Sequence, residues 1–536
     1  MQKVRIPQNS FQYGEISGNT VMRTDSPIYA ASAQSLENMI VLPEGAVKKR
    51  YGTKFIYKNT QANEKLHLAP FIFDDNEEYL IGIGEGYILC WRLLSGGTII
   101  LVETITADTS SNALPFNEDY LQQYTTAQYG DVMFICHPLF APRMLTRTSL
   151  TAFELSVFSF DTDYSGQNTK QPYSVFHPSN VTLTSNSTSA GLTNVTVTTS
   201  THYFKTDGSH VGVTLRHNGC ELLITNVSST IAANVTIIKT LKQRLSVLNP
   251  LRTRDGSNKV EITHLSHGLS QGASITISDA VAVGGLNASH INGTRSINEI
   301  IDDNTYIVLA STNANTSEDG GGFVSITSGA ATRNWDEQSF SAVRGYPAAV
   351  TFHENRLCFG GTIAEPDTIW MSSLGKFFDF DVGDANDTDA INLVAATGDV
   401  NEIRYMRSNR DLQIFTLSDE LYVPTYLNQV ITPTNAQIRK QTPFGTEFVL
   451  PTSIDGATIF VERGGRAVRE YIYSDSEDAY ISTAVSTVAT HLINNPVDIA
   501  VVHSGFGTQE SYAALVMSDG NMALFSSNRA EKRAAW

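Results

Sequence analysis

Cysteine is scarce in this chain: Cys90, Cys136, Cys220 and Cys358 are spread over 536 residues. None pairs as C-x-x-C, so neither a disulfide framework nor a zinc knuckle is expected. The four thiols read as small apolar core residues of a protein assembled in a reducing cytoplasm. Charge is thin as well, at 17% Asp, Glu, Lys and Arg, which excludes a coiled coil and a charged disordered tail. The basic sign is the scarcer one: 37 Lys and Arg face 54 Asp and Glu, a net charge of −17. Tight binding to phosphate backbones draws its affinity from Lys and Arg, so it is not expected here. No apolar run reaches the roughly 18 residues a membrane span needs. The opening MQKVRIPQNSFQYGEISG has no apolar h-region, so no secretory signal is expected.

What the chain does have is short alternating segments divided by turn residues. LAPFIF, EYLIGIGEGYILCWRLL and TIILVETI, separated by Asp-Asn and Gly-Gly turns, read as a meander of strands. ATIFVE and RAVREYIY around Arg463-Gly464-Gly465 read as a hairpin. YAALVM and NMALFSS around Ser518-Asp519-Gly520 read as another. Helical periodicity is best over 26–41 and 480–493. From about 165 to 332 the chain turns Ser/Thr/Asn/Gly-rich and aromatic-poor, with clean alternation in NVTVTTST and ANVTIIKTL. This predicts an inserted β domain, or two, within a larger β unit. No solenoid-length repeat is evident, and divergent propeller blades remain open.

Few residue groups carry chemistry. Gly268-Leu269-Ser270-Gln271-Gly272 matches a nucleophile elbow on paper, but ASITIS follows it as a strand where a helix is required, so a polar turn is expected. His353-Glu354 begins like a zinc-binding helix, yet Leu357 stands where the second His belongs, and His353 reads as a strand-surface residue. Asp379, Asp381, Asp384, Asn386, Asp387 and Asp389 crowd one loop after Phe377-Phe378. A solvated acidic loop is favoured there, with a Ca²⁺ site or a carboxylate pair for glycoside hydrolysis as alternatives. Val47-Lys48-Lys49-Arg50 reads as solvated surface. No Walker loop or dinucleotide-binding glycine pattern is present.

Three separated blocks resemble the tail tubular protein B family, the nozzle proteins of short-tailed bacteriophages. The first is SFQYGEISGN through AVKKRYGTKFI, with Gly14, Glu15, Arg23, Asp25, Tyr29, Asn38, Pro43, Gly45, Arg50, Gly52 and Thr53 at the motif positions. The second is FSAVRGYPAAVTFHENRLCFGG through TIWMSS, carried by Arg344, Gly345, Tyr346, Pro347, Arg356, Leu357, Gly360, Gly361, Thr362 and Trp370-Met371-Ser372. The third is TPTNAQIRKQTPFGT with IFVERGGRAVREYIY. Residues 267–294 resemble a small β module of phage tail proteins.

The resemblance implies a mainly β fold, with a β-propeller-like body and inserted small β-sandwich or barrel domains. It implies an extended or helical segment over 1–60 that contributes to assembly, and the body over 61–164 and 333–536. The insert would occupy 165–332 with a β module at 258–312, and the last β unit would be cut short at Trp536. It implies a structural, non-enzymatic role with no cofactor. A homohexameric ring would sit below the adaptor, tail tubular protein A, with tail fibre or needle proteins nearby. Genome DNA would cross its channel transiently without sequence-specific binding. The place would be the virion tail after assembly in the host cytoplasm, with no membrane insertion. Gly45, Gly52, Gly345 and Gly361 are expected at turns of positive φ, Pro347 at a bend, and Arg344 and Arg356 as partly buried forks on carbonyls or carboxylates. The alternative is a tail-associated glycan-binding or glycan-hydrolysing protein built on the Asp379–Asp389 loop. A third reading is a propeller-type interaction protein outside any virus.

Overall fold

The computed structural model describes residues 8–20, 23–42, 44–61, 65–163, 169–396, 398, 401–425, 430–503, 511–529 and 533–536. Pro43 lies outside them. Two compact units divide the chain: Met1–Ser159 with Tyr346–Trp536, and Phe160–Gly345. The sequence placed the edges of the insert at 165 and 332.

The first unit holds six four-stranded antiparallel sheets among its described residues, each a meander of consecutive strands. We number them as blades in chain order: blade 1 over 67–105, blade 2 over 125–157, blade 3 over 349–394, blade 4 over 403–442, blade 5 over 452–484 and blade 6 over 496–535. This is the β-propeller-like arrangement expected from the family resemblance. In every blade the first strand is an edge strand. First strands of neighbouring blades approach one another, as Ala349–His353 does with Thr125–Tyr129 and with Ile403–Ser408. They therefore line the axis.

Alternation explains why blade strands read as nearly continuous apolar runs: each face of a blade enters a different core. In Tyr87–Leu94, Ile88 and Cys90 face blade 2 together with Ile81, Ile83, Met133 and Leu145. The alternate residues Tyr87, Leu89 and Trp91 pack with Tyr57 and Leu66 from the preceding segment. Blades 3 and 4 meet through Ile369, Met371, Ile414 and Leu421, and blades 5 and 6 through Ile459, Val468, Leu515 and Phe525. Between blades 2 and 3 the filling is aromatic, with Phe134 against Phe352 at 5.6 Å and Phe158 stacked on Phe378 at 5.3 Å. All four cysteines are free and buried. Burial pushes the Cys358 thiol up to about 12, as expected of inert core thiols.

The expected helices are mostly absent. Of 26–41 only Pro27–Ala30 is helical, and Met39–Val41 is a strand paired with Val47–Lys49. Asn38, at φ 58, turns the chain out of any helix just before that strand. Residues 480–493 begin inside the strand Ala479–Ala484, whose pairing with Val468–Ser474 overrides a weak helical pattern.

The second unit contains a seven-stranded and an eight-stranded antiparallel sheet. The chain enters the seven-stranded sheet, builds the eight-stranded one from Lys242–Arg244 to Ser325–Thr327, and returns as Trp335–Gln338 to pair with Thr214–His217. The module read at 258–312 lies inside the eight-stranded sheet, whose core includes Val260, Ile275, Ile297 and Tyr306.

Candidate functional site

Among the concave places formed by the described residues of the first unit, two bear on the motif residues or on the axis. The larger is a cleft of about 750 Å³ where the N-terminal segment lies on blade 6. It brings Glu15, Asn38 and Arg50 of the first motif block together with Arg466, His491 and Asp519. Glycine makes this docking possible. Gly14 has φ +67, and a Cβ there would stand 2.2 Å from the carbonyl oxygen of Trp536. The Glu15 amide donates to that same oxygen at 2.8 Å. One Glu15 carboxylate oxygen accepts the Leu36 amide at 2.6 Å and the other lies 2.8 Å from His491 Nε2. Arg50 Nε donates to Asn38 Oδ1 at 2.7 Å, closing the loop between the paired strands Met39–Val41 and Val47–Lys49. Gly45 adopts φ +87 against Ser10, as expected. Gly52 does not: its φ is not positive and a Cβ there would meet open space, so nothing in its surroundings requires glycine.

The second motif block does not join this cleft. Arg356 lies in blade 3, fully buried. It donates to the carbonyls of Ser372, Asp389, Asp387 and Ile431 at 2.7, 2.6, 3.0 and 3.3 Å. It thus pins the acidic loop from inside. Within that loop Asp389 Oδ2 accepts the Asn386 amide at 2.8 Å, and Asp379 and Asp381 accept amides two residues ahead. Asp384 and Asp387 are exposed. Among the described residues no group of three or more His, Cys, Asp or Glu is placed to hold a metal ion. Gly345 and Gly361 have φ +84 and +63, and Pro347 is buried just ahead of the strand Ala349–His353.

Arg344 sits in the second unit, where Nε and Nη2 grip both carboxylate oxygens of Glu337 at 2.8 Å. Burial alone would raise the Glu337 pKa. The Arg344 fork, the Tyr203 hydroxyl and His210, whose Nε2 is 3.7 Å away, outweigh it and hold the carboxyl at about 2.

His353 corrects the sequence reading. It is 4% exposed, with Nδ1 2.9 Å from Ser408 Oγ and Nε2 3.2 Å from Thr425 Oγ1. The imidazole is closed in by Ser408 at the end of the first strand of blade 4 and by Thr425, which leaves it no solvent side. Ser270 behaves as expected, an exposed turn residue ahead of the strand Ser274–Ser278.

The smaller concavity is axial. Its volume is about 290 Å³, and its walls are the first strands of blades 2, 3 and 4, including Thr126, Thr351 and Arg407. Between blades 4 and 5 lies a layer that sequence reasoning missed. There Glu420 is fully buried among Tyr422, Tyr471 and Phe415, with the Thr442 hydroxyl donating to its Oε2. Burial pushes its pKa up to about 7. The available signal was Glu420 alternating with Tyr422 in an otherwise apolar strand.

No family model matches the chain, and no curated protein matches it. Solved structures match at low similarity. An endosialidase of phage phi92 aligns at 10% identity over 76% of this chain, with TM-score 0.18, and this chain spans 57% of that one. The dihydro-heme d1 dehydrogenase NirN aligns at 10% identity over 90% of this chain and 69% of its own, with TM-score 0.20. A putative 6-phosphogluconolactonase from Bacteroides fragilis aligns at 9% identity over 67% and 82%, with TM-score 0.21. Similarity this low carries no argument about function. No helix among the described residues is long and apolar enough to cross a membrane.

Proposed function

We propose that this chain is a structural tail protein of the nozzle type, similar to tail tubular protein B of short-tailed bacteriophages. In this reading copies assemble into a homohexameric ring below the adaptor, the genome crosses the bore, and tail fibres dock nearby. The observation that carries it is the work done by the motif residues that resemble the family. Gly45, Gly345 and Gly361 occupy left-handed turns, Arg356 cages four loop carbonyls, and Arg344 locks Glu337. Residues with these jobs hold a scaffold in shape. The low content of basic residues suits a wall that duplex DNA must slide past. Strand edges on each protomer suit a heterologous interface that closes on itself.

Electron microscopy of the purified protein tests the reading. The expected result is a ring with six-fold symmetry and a central hole. A monodisperse monomer that neither forms rings nor binds its adaptor would overturn it.

A further inference from the structure

The axial cavity holds a cation without a counter-charge. Arg407 is half-buried, with Nε donating to Ser453 Oγ at 3.0 Å and Nη1 to the Pro451 carbonyl at 3.0 Å. A guanidinium has five N–H groups, so these two bonds leave donors free. Three other half-buried arginines of the same unit are compensated by acids, Arg143 by Asp108 at 3.5 Å, Arg147 by Glu77 at 2.7 Å and Arg469 by Glu462 at 2.7 Å. Among the described residues Arg92 of blade 1 shares with Arg407 the lack of such a partner, but it lines neither concavity. Arg404 stands 3.6 Å from Glu447. Among the described residues Arg407 has no carboxylate within 4.0 Å, and no charged group counters its burial. The cavity wall beside it is hydroxylic: Thr125, Thr126, Thr351 and Ser408 all line it. Thr125 donates to the Ala348 carbonyl at 2.7 Å and Ser408 Oγ meets His353, so Thr126 and Thr351 are the hydroxyls left for a guest.

A partly desolvated guanidinium beside hydroxyl donors is the chemistry that recognises an oxyanion. About 290 Å³ admits a small molecule and excludes a duplex or a polymer chain. We propose that the axial cavity of the propeller-like body binds a small oxyanion, a carboxylate or a phosphate, on the Arg407 fork. The anion's remaining oxygens would accept from Thr126 and Thr351. The site is independent of ring formation and of the nozzle reading.

Titration calorimetry on the full chain tests it, with sodium phosphate and sodium acetate in separate arms and sodium chloride at matched ionic strength as control. One saturable site with a Kd on the order of millimolar is expected for at least one anion. The tighter arm identifies the head group. Arg407→Gln should weaken binding about tenfold or more. Because Arg407 also bonds to blade 5, Leu450→Trp provides a second variant. It fills the cavity from its wall, leaves the guanidinium in place, and should abolish the heat. Thr351→Val should weaken binding by a smaller factor. No saturable heat above the chloride control up to ~100 mM, a range that would still reveal a weak site, overturns the proposal. So does binding that survives both Arg407→Gln and Leu450→Trp.

Discussion

Among the described residues of the first unit, Glu420 and Arg356 are the charged side chains that the fold removes completely from water. They are held in opposite ways. Arg356 finds four carbonyl acceptors. Replacing it by Met should leave those carbonyls unsatisfied and cost about 3–5 kcal/mol, read as a lower urea midpoint. Glu420 has the Thr442 hydroxyl on one oxygen, while the other has no partner. Its folded pKa of about 7 stands above the ordinary 4.5. Between those values the folded state holds a proton that the unfolded chain has released. Its contribution to stability is therefore complete below about pH 4.5 and lost as pH rises through 7. Glu420→Gln removes this dependence. Thermal melts should show the variant gaining on the wild type from pH 5 to pH 8, by about 3 kcal/mol at most. Histidines with lowered pKa values, such as His137 at about 4, cancel in that difference. A constant difference across the range would place the proton elsewhere.

At the scale of elements, the N-terminal segment joins the two ends of the blade series. It bonds to Trp536 after blade 6 and packs Tyr57 edge-on against Trp91 of blade 1, at 5.5 Å between centroids. Gly14→Ala puts a Cβ into the Trp536 backbone at a left-handed position. It should cost about 3 kcal/mol and expose the segment to early proteolysis. Gly18→Ala is the control, since a Cβ there meets nothing within 4 Å. Elements with strong local signals were legible in the sequence. The meander of blade 1 and the hairpin at Asp519-Gly520 appear where alternation and turn chemistry place them, with Gly520 at φ +87. The order of blades was not legible from the residues alone. Their filling differs from interface to interface, aliphatic between blades 3 and 4 and aromatic between 2 and 3, so no sequence repeat marks them. The convergence of Glu15 with His491 was equally hidden, because partners 476 residues apart leave no local pattern. Arg407 gave no signal either: what distinguishes it is its place, without a neighbouring acid, on the wall of the axial cavity, a property of space.

At the scale of the whole molecule, the charge of −17 makes a demand on the nozzle reading that can be measured. Electrostatic attraction to DNA requires cations that release counterions from the duplex, and each phosphate neutralised steepens the salt dependence of binding. A ring whose bore lacks such cations gives no affinity, and its field decays within about 10 Å at 0.1 M salt. In the nozzle reading such a bore wall would repel the duplex at close range and leave it free to slide. Fluorescence anisotropy with a labelled duplex should show no binding to the assembled ring at about 0.1 M salt. Lowering the ionic strength should not create it, because screening weakens repulsion as well as attraction. Assembly itself answers to the opposite arm, since rings of like-charged subunits should form more completely as salt rises. Binding that strengthens steeply at low salt would mean that the few Lys and Arg are gathered on the surface the DNA meets. The protein would then grip the genome rather than let it pass.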